Sequence, residues 1–432
     1  MTILKNMRLG LLHMAVAITF VAINGVLNRV MIHELGILST IVAILVVLPY
    51  VLSPAQVWIG QYSDTHPIFG YRRTPYIALG MILCIIGMKL TPFAALGMAD
   101  NFSLGFGVGV LAFGLWGVGY NLAVVSYLSL ASDMSEESQR SRTIAVMWFM
   151  MIVSIIISAI VMGRALEPYS EVRLIRVFGW AGGGAIFLTI LGLVGLEPRY
   201  TDYAVQTRHS QQAAIRAVIG NPQARLFFVY LILMLLAILG QDILLEPFGA
   251  HAFGMTVEQT TQLTALWGGA TLFSLLVYGF ILNRWLNKKQ GAAFGGVIAT
   301  TGLLMIGLSG SLEAAGLFKP GIVILGLGTG IATATNLGLM LDMTTAEQAG
   351  LFIGAWGVAD ALSRGAGMFL GGTVRDLVAF ATNNVTLGYV AVFYIEAGCL
   401  LLSLILLSQI DVSRFRSRQP DLVELAALTA DA

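Results

Sequence analysis

Two carboxylates near the middle of the chain are the residues best placed to do chemistry. Asp242 and Glu246 lie four residues apart near the end of an apolar stretch that begins at Leu226, so a helix would present both on one face. A carboxylate at membrane depth costs about 2.5–3.5 kcal/mol on insertion scales, and it usually has a partner and a function. Binding a ligand, carrying protons and holding helices together are all open, and the last is favoured.

The composition shows what surrounds these carboxylates. The 432-residue chain is 57% apolar and only 11% charged, with a mean hydropathy of +0.84, whereas soluble proteins carry about 25% charged residues. We therefore expect a polytopic membrane protein, and the net charge of +1 implies no nucleic-acid partner. Cys84 and Cys399 lie within apolar runs and fit neither a disulfide framework nor a metal-site spacing.

Twelve segments are apolar over the roughly 20 residues that a membrane-spanning helix needs. They are Leu9–Met31, Leu38–Trp58, Pro75–Leu96, Leu104–Leu130, Thr143–Met162, Leu174–Leu196, Leu226–Phe248, Leu263–Leu282, Ala292–Leu312, Pro320–Leu341, Leu351–Val374 and Thr386–Leu407. The longest polar connection follows span six, so the all-α chain divides into six-helix halves at 1–196 and 226–410. A cytoplasmic central loop at 197–225 and a cytoplasmic tail at 411–432 complete this division.

The positive charges predict the orientation of the spans. With the N-terminus in the cytoplasm, sixteen of the 24 Lys and Arg residues fall in cytoplasmic segments, as the positive-inside rule requires. We therefore expect both termini in the cytoplasm and the lipid bilayer around the spans.

Short matches between the halves indicate an internal duplication. They pair Asp133-Met134-Ser135 with Asp342-Met343-Thr344, Gly60-x-x-x-Asp64 with Gly279-x-x-x-Asn283, and Asn28-Arg29-Val30 with Gln241-Asp242-Ile243. The three matches occur in the same order in both halves. Two parallel six-helix repeats are the arrangement of the major facilitator fold, which is therefore the predicted architecture.

Arg29 and Asp242 occupy equivalent positions in the two halves and carry opposite charges. In this fold helices one and seven border a central cavity, whose polar candidates are Asn28, Arg29, Gln241, Asp242 and Glu246. We predict an ion pair between Arg29 and Asp242 or Glu246, because a buried charge that loses its partner is strongly destabilising. The alternative places each charge at the water interface, solvated separately.

The connection between spans two and three resembles the loop signature of major facilitator proteins, although five residues separate its aspartate from the following glycine. The signature residues are Gly60, Asp64, Arg72 and Arg73, and the two arginines can pair with Asp133 or Glu136 on the next cytoplasmic loop. In the family this cluster latches one arrangement of the halves. The alternative is an ordinary positive-inside loop.

Span eleven contains a second pair of opposite charges. Asp360 and Arg364 have the i, i+4 spacing of an intrahelical ion pair, which would ease insertion into the membrane. Glu396 in span twelve is either a protonated packing residue or a partner for Lys89 or Arg364. No nucleophile–base or metal-ligand pattern appears in the sequence, so it makes no case for an enzyme.

Three longer stretches carry a more specific resemblance. They are Gly25–Gly36, Gln241–Gly249 and Gly350–Ala361, and the loop Ser63–Tyr76 fits as well. Together they resemble the bacteriochlorophyll delivery family of the major facilitator superfamily, the PucC and LhaA type, from the first span to the eleventh. The resemblance implies a phototrophic membrane, whether cytoplasmic, intracytoplasmic or thylakoid, and a role in assembling light-harvesting or photosystem complexes.

The implied partners are light-harvesting or photosystem polypeptides, and the implied cargo is chlorophyll or bacteriochlorophyll. His13, His33 and His251 are candidate axial ligands for the pigment magnesium, although a non-ligand role is the more common one for each. Two other functions stay open. One is a secondary transporter of a small solute coupled to protons, in which Asp242 or Glu246 would titrate. The other is an interaction protein without a transport cycle.

Overall fold

The computed structural model describes residues 3–135, 140–199, 222–342 and 349–411. The α-helices in chain order are α1 (Ile3–Phe20), α2 (Ser39–Val51), α3 (Ala55–Thr65), α4 (Thr74–Asp100), α5 (Phe102–Met134), α6 (Arg140–Ala165), α7 (Glu171–Leu193), α8 (Pro222–Gly240), α9 (Leu245–Phe253), α10 (Val257–Phe280), α11 (Lys288–Ser311), α12 (Ala315–Asp342), α13 (Ala349–Thr382) and α14 (Val385–Ser408). The fold within these ranges is all-α, as predicted.

Ten helical segments in the described ranges are long and apolar enough to cross a membrane. The predicted second span is two short helices, α2 and α3, and the predicted eleventh span is α13; neither is among the ten. The predicted division into halves places the central loop at 197–225, whereas α8 already begins at Pro222. The total of twelve spans stays a prediction, and the tail beyond Asp411 lies outside the described residues.

Glycines allow the same close helix crossing in both halves. In the first half, a Cβ at Gly119 of α5 would lie 2.8 Å from the Cα of Cys84 on α4. In the second half, a Cβ at Gly328 of α12 would lie 2.7 Å from the Cα of Ala299 on α11. Small residues let membrane helices pack backbone to backbone, so each half contains one tightly packed helix pair at its equivalent place.

The first and the seventh predicted spans are both interrupted. After α1 the chain forms two π-helical segments, Val21–Leu27 and Val30–Glu34, and a 3-10 turn at Gln241–Ile243 separates α8 from α9. The two interruptions lie side by side, because the Asn28 side-chain amide donates a 2.8 Å hydrogen bond to the Ile243 carbonyl. Interrupted membrane helices commonly mark functional sites.

The two halves meet tightly at one end of the bundle. We call the end that carries the start of α1 and the end of α14 the proximal end, and the opposite end the distal end. At the distal end α13 packs on α2, where a Cβ at Gly372 would lie 2.8 Å from the Ser39 carbonyl. Nearby α6 packs on α10, where a Cβ at Gly163 would lie 3.3 Å from the Cα of Glu258.

Candidate functional site

The predicted ion pair between Arg29 and Asp242 or Glu246 is wrong. Arg29 instead pairs with Glu34 and donates a 3.1 Å hydrogen bond to the Met255 carbonyl. In a π-helix the neighbour one turn away is at i+5, which brings Glu34 beside Arg29. Glu246 accepts a hydrogen bond from the Thr264 hydroxyl.

Asp242 pairs with an arginine of its own half. Its Oδ2 lies 2.8 Å from Nη1 of Arg364, and Asp360 Oδ2 lies 3.8 Å from Nε of the same guanidinium. The i, i+4 contact within α13 is therefore present, but it is the longer of the two. Glu396 is buried against α8, where a Cβ at Gly240 would lie 2.8 Å from its Oε1. Arg364 thus connects Asp242, in the seventh predicted span, with Asp360, in the eleventh.

A narrow cavity of about 50 Å³ lies between the halves beside this ion pair. Its polar lining consists of Asn24, Gln241, Asp242, Glu246, Thr264 and Trp267. The share of liquid volume per water molecule is about 30 Å³, so the cavity has room for one or two. Ligand pockets usually measure about 300–1,000 Å³, so this cavity is too small for a tetrapyrrole.

The loop between α3 and α4 makes one of the predicted contacts. Arg73, only 2% exposed, places its Nε 3.1 Å from Asp133 Oδ2 and donates from Nη1 to Ser63 Oγ at 2.6 Å. Gly60 and Asp64 belong to α3, but the environment of their side-chain positions lies outside the described part of the chain, as does Glu136. The role of this contact as a latch stays a prediction.

Glu197 is a residue of this region that sequence reasoning missed. Its carboxylate accepts hydrogen bonds from the backbone N–H groups of Arg72, Arg73 and Thr74, at 2.8, 3.0 and 2.6 Å. These groups lie at the start of α4, where negative charge is stabilising. The sequence signal was an acidic residue directly after span six, but nothing local connects it with α4.

Asp376 was also missed, and it joins the two halves. From α13 it accepts hydrogen bonds from the backbone N–H groups of Ser39 and Thr40 at 3.3 and 2.7 Å, and from the Thr40 hydroxyl at 2.7 Å. It thereby caps the N-terminus of α2 across the interface. Arg375 Nη1 lies 2.7 Å from Asp376 Oδ1 and keeps this carboxylate paired.

The three histidines that are candidate pigment ligands lie in two places. His13 is buried between the rings of Tyr127 and Trp148, with centroids 5.2 and 5.7 Å away, so a pigment reaching it would have to displace a ring. His33 and His251 face each other across the halves at the distal end, with ring centroids 4.6 Å apart. Their assignment as pigment ligands stays a prediction.

Comparison with known proteins identifies the family. The sequence model of the PUCC protein family matches residues 26–415. The chain belongs to the PucC family. Protein PucC of Cereibacter sphaeroides is 30% identical over 417 residues, which are 93% of this chain and 91% of that protein. A relative from Rhodobacter capsulatus, named bacteriochlorophyll synthase 44.5 kDa chain, is 29% identical over 96% of this chain and 97% of its own length.

The fold also matches solved transporters. A bacterial homologue of the human lysosomal transporter Spinster, in an inward-facing and occupied conformation, superposes with a TM-score of 0.71 over 95% of this chain and 97% of that one. At 13% sequence identity this likeness establishes the major facilitator fold of this PucC-family chain. The predicted family and fold are therefore confirmed.

Proposed function

We propose that this protein is a membrane assembly factor for light-harvesting or photosystem complexes, and that it binds or delivers chlorophyll or bacteriochlorophyll to their polypeptides. The observation that carries the proposal is the PucC-family match, which runs through both halves of the chain. The name of the bacteriochlorophyll synthase chain in Rhodobacter capsulatus supports a connection with pigment. In our proposal the role requires no catalysis by this chain.

The small size of the cavity limits where the pigment could bind. Since this cavity is much smaller than a tetrapyrrole, the pigment would bind elsewhere, on the lipid-facing flank or in a wider space between the halves. Several helices carry exposed aromatic side chains. They include Trp148 and Phe149 on α6, Phe273 on α10, and Phe369 and Phe380 on α13. Such rings could stack on a pigment without entering the bundle.

The proposal places the protein in a cytoplasmic, intracytoplasmic or thylakoid membrane of a phototroph, with both termini in the cytoplasm. Purification from that membrane in mild detergent should yield protein with red-absorbing pigment and antenna polypeptides. Deletion of the gene in the same phototroph should lower antenna levels, and the intact gene should restore them. Colourless protein together with unchanged antenna levels after deletion would refute the assembly role.

A second candidate is a proton-coupled transporter of a small solute. The observation favouring it is the buried Glu246 beside a polar cavity between the two halves, in a fold that superposes on a solved transporter. Protein reconstituted in liposomes would then accumulate a solute when a proton gradient is imposed. Pigment-free protein with gradient-driven uptake would favour this candidate over the assembly factor.

A further inference from the structure

Four polar side-chain atoms around the cavity have no hydrogen-bond partner within the described part of the chain. They are Asn24 Oδ1, Gln241 Oε1, Glu246 Oε2 and Trp267 Nε1. The first three residues are only 2–3% exposed. A buried polar atom without a partner is destabilising, and four around one cavity indicate that something polar occupies it.

The orientation of the two amides is fixed by their nitrogens. Asn24 Nδ2 donates to the Phe20 carbonyl at 3.2 Å. Gln241 Nε2 donates to the Ile238 carbonyl at 3.2 Å and to Asp242 Oδ1 at 3.0 Å. Turning either amide over would set oxygen against oxygen, so both oxygens remain available to the cavity. Three of the four unpartnered atoms are thus acceptors.

The local charge favours a cation. Glu246 uses Oε1 to accept from Thr264 and leaves Oε2 unpartnered. The nearby arginines are committed to other carboxylates, Arg364 to Asp242 and Arg29 to Glu34. Carboxylate and amide oxygens are ligands that hard cations prefer. The first and seventh spans are interrupted side by side, and in transporters such broken helices coordinate small cations.

We propose that this cavity binds one small monovalent cation, a sodium ion or a hydronium ion, between the side-chain oxygens of Asn24, Gln241 and Glu246. A volume of about 50 Å³ admits such an ion with one water molecule. Trp267 would donate its indole N–H to that water. The site goes beyond the assembly role and does not depend on it.

Thermal unfolding of the purified full-length protein in detergent tests the site. At alkaline pH and constant ionic strength, replacing choline chloride with sodium chloride should raise the unfolding temperature saturably. Glu246→Gln should weaken the apparent sodium affinity by about tenfold or more, and Asn24→Ala should weaken it by less. Glu396→Gln is the matched control, because Glu396 is an equally buried carboxyl outside the cavity lining.

The same measurements distinguish the two ions. A hydronium site predicts no effect of sodium, but a rise of the unfolding temperature on mild acidification that both Glu246→Gln and Asn24→Ala reduce, because protonation of Glu246 alone would not depend on Asn24. If Glu246→Gln does not fold, the loss of either effect in Asn24→Ala decides. The proposal is overturned if neither sodium nor acid stabilises the protein, or if half-maximal stabilisation of Glu246→Gln or Asn24→Ala needs the same sodium concentration or the same pH as that of the wild type.

Discussion

Arg364 of α13 and Asp242 of the turn between α8 and α9 are joined by a 2.8 Å ion pair, although the sequence suggested Asp360 as the partner of Arg364 and Arg29 as the partner of Asp242. Their side chains are 19% and 14% exposed, so water screens the pair only partly. The guanidinium also lies over the ring of Tyr50 on α2, 5.6 Å from its centroid. Arg364 therefore holds a position where two helices of one half meet the other half.

Removing either member of this pair should destabilise the protein, because Asp242 would lose its arginine and Arg364 would keep only the longer contact with Asp360. We expect Asp242→Asn and Arg364→Met each to lower the free energy of unfolding by about 3 kcal/mol, and the double variant to lose clearly less than the sum. Chemical unfolding followed by tryptophan fluorescence would measure this coupling. Arg29→Met combined with Asp242→Asn is the control and should be additive; additivity in the Asp242–Arg364 cycle would contradict the pair.

The close crossing of α4 and α5 should not tolerate a methyl group. Gly119→Ala sets a Cβ 2.8 Å from the Cα of Cys84, and we expect a loss of about 1–3 kcal/mol from overpacking. Gly114→Ala on the same helix has no heavy atom within 4 Å of the new Cβ. It should leave the unfolding temperature unchanged or raised, since alanine favours helix. Equal effects of the two substitutions would argue against the crossing.

Glu197 should stabilise the start of α4 through its negative charge. Glu197→Gln keeps the shape but loses charge-assisted hydrogen bonds to three backbone N–H groups, so we expect a loss of about 1–2 kcal/mol. Glu167→Gln, the same change at an exposed residue just after the end of α6, is the control. Differential scanning calorimetry of both variants would test this, and a Glu197→Gln curve like that of the wild type would exclude the cap.

Asp376 should favour closure of the distal end. Asp376→Ala removes the acceptor for the hydrogen bonds from Ser39 and Thr40. If the closed arrangement loses about 2 kcal/mol as a result, the ratio of closed to open molecules falls roughly thirtyfold. Spin labels attached after Leu38→Cys and Phe380→Cys, both exposed positions near this contact, should show a longer distance population.

The control for this distal opening is Asp100→Ala, which makes the same change at the exposed end of α4 and should leave the distance distribution unaltered. An unchanged distribution in Asp376→Ala would mean that the cap stabilises α2 without holding the halves together.

Sequence reasoning reached the fold because apolar length and repetition are properties of local segments. It also anticipated the contact between Arg73 and Asp133, since Arg73 directly precedes α4 and Asp133 lies in the last turn of α5, at the same end of the bundle. It paired Arg29 wrongly because the pairing was inferred from equivalent positions in the two halves, whereas the π-helical segment brings Glu34 of the same span beside Arg29. It missed Glu197 and Asp376 because their partners lie 123 and 336 residues away, and only packing of the whole bundle brings them together.

The arginines buried in the bundle each keep a carboxylate partner within their own half. The pairs are Arg29 with Glu34, Arg73 with Asp133, Arg364 with Asp242, and Arg375 with Asp376. The buried charges that reach across the distal interface bond to backbone groups or to a hydroxyl instead, as at Met255 and Thr40. The exposed Arg164–Glu258 pair also crosses, at 3.7 Å. The halves can therefore separate there without stranding a buried charge, and water can replace the hydrogen bonds that break.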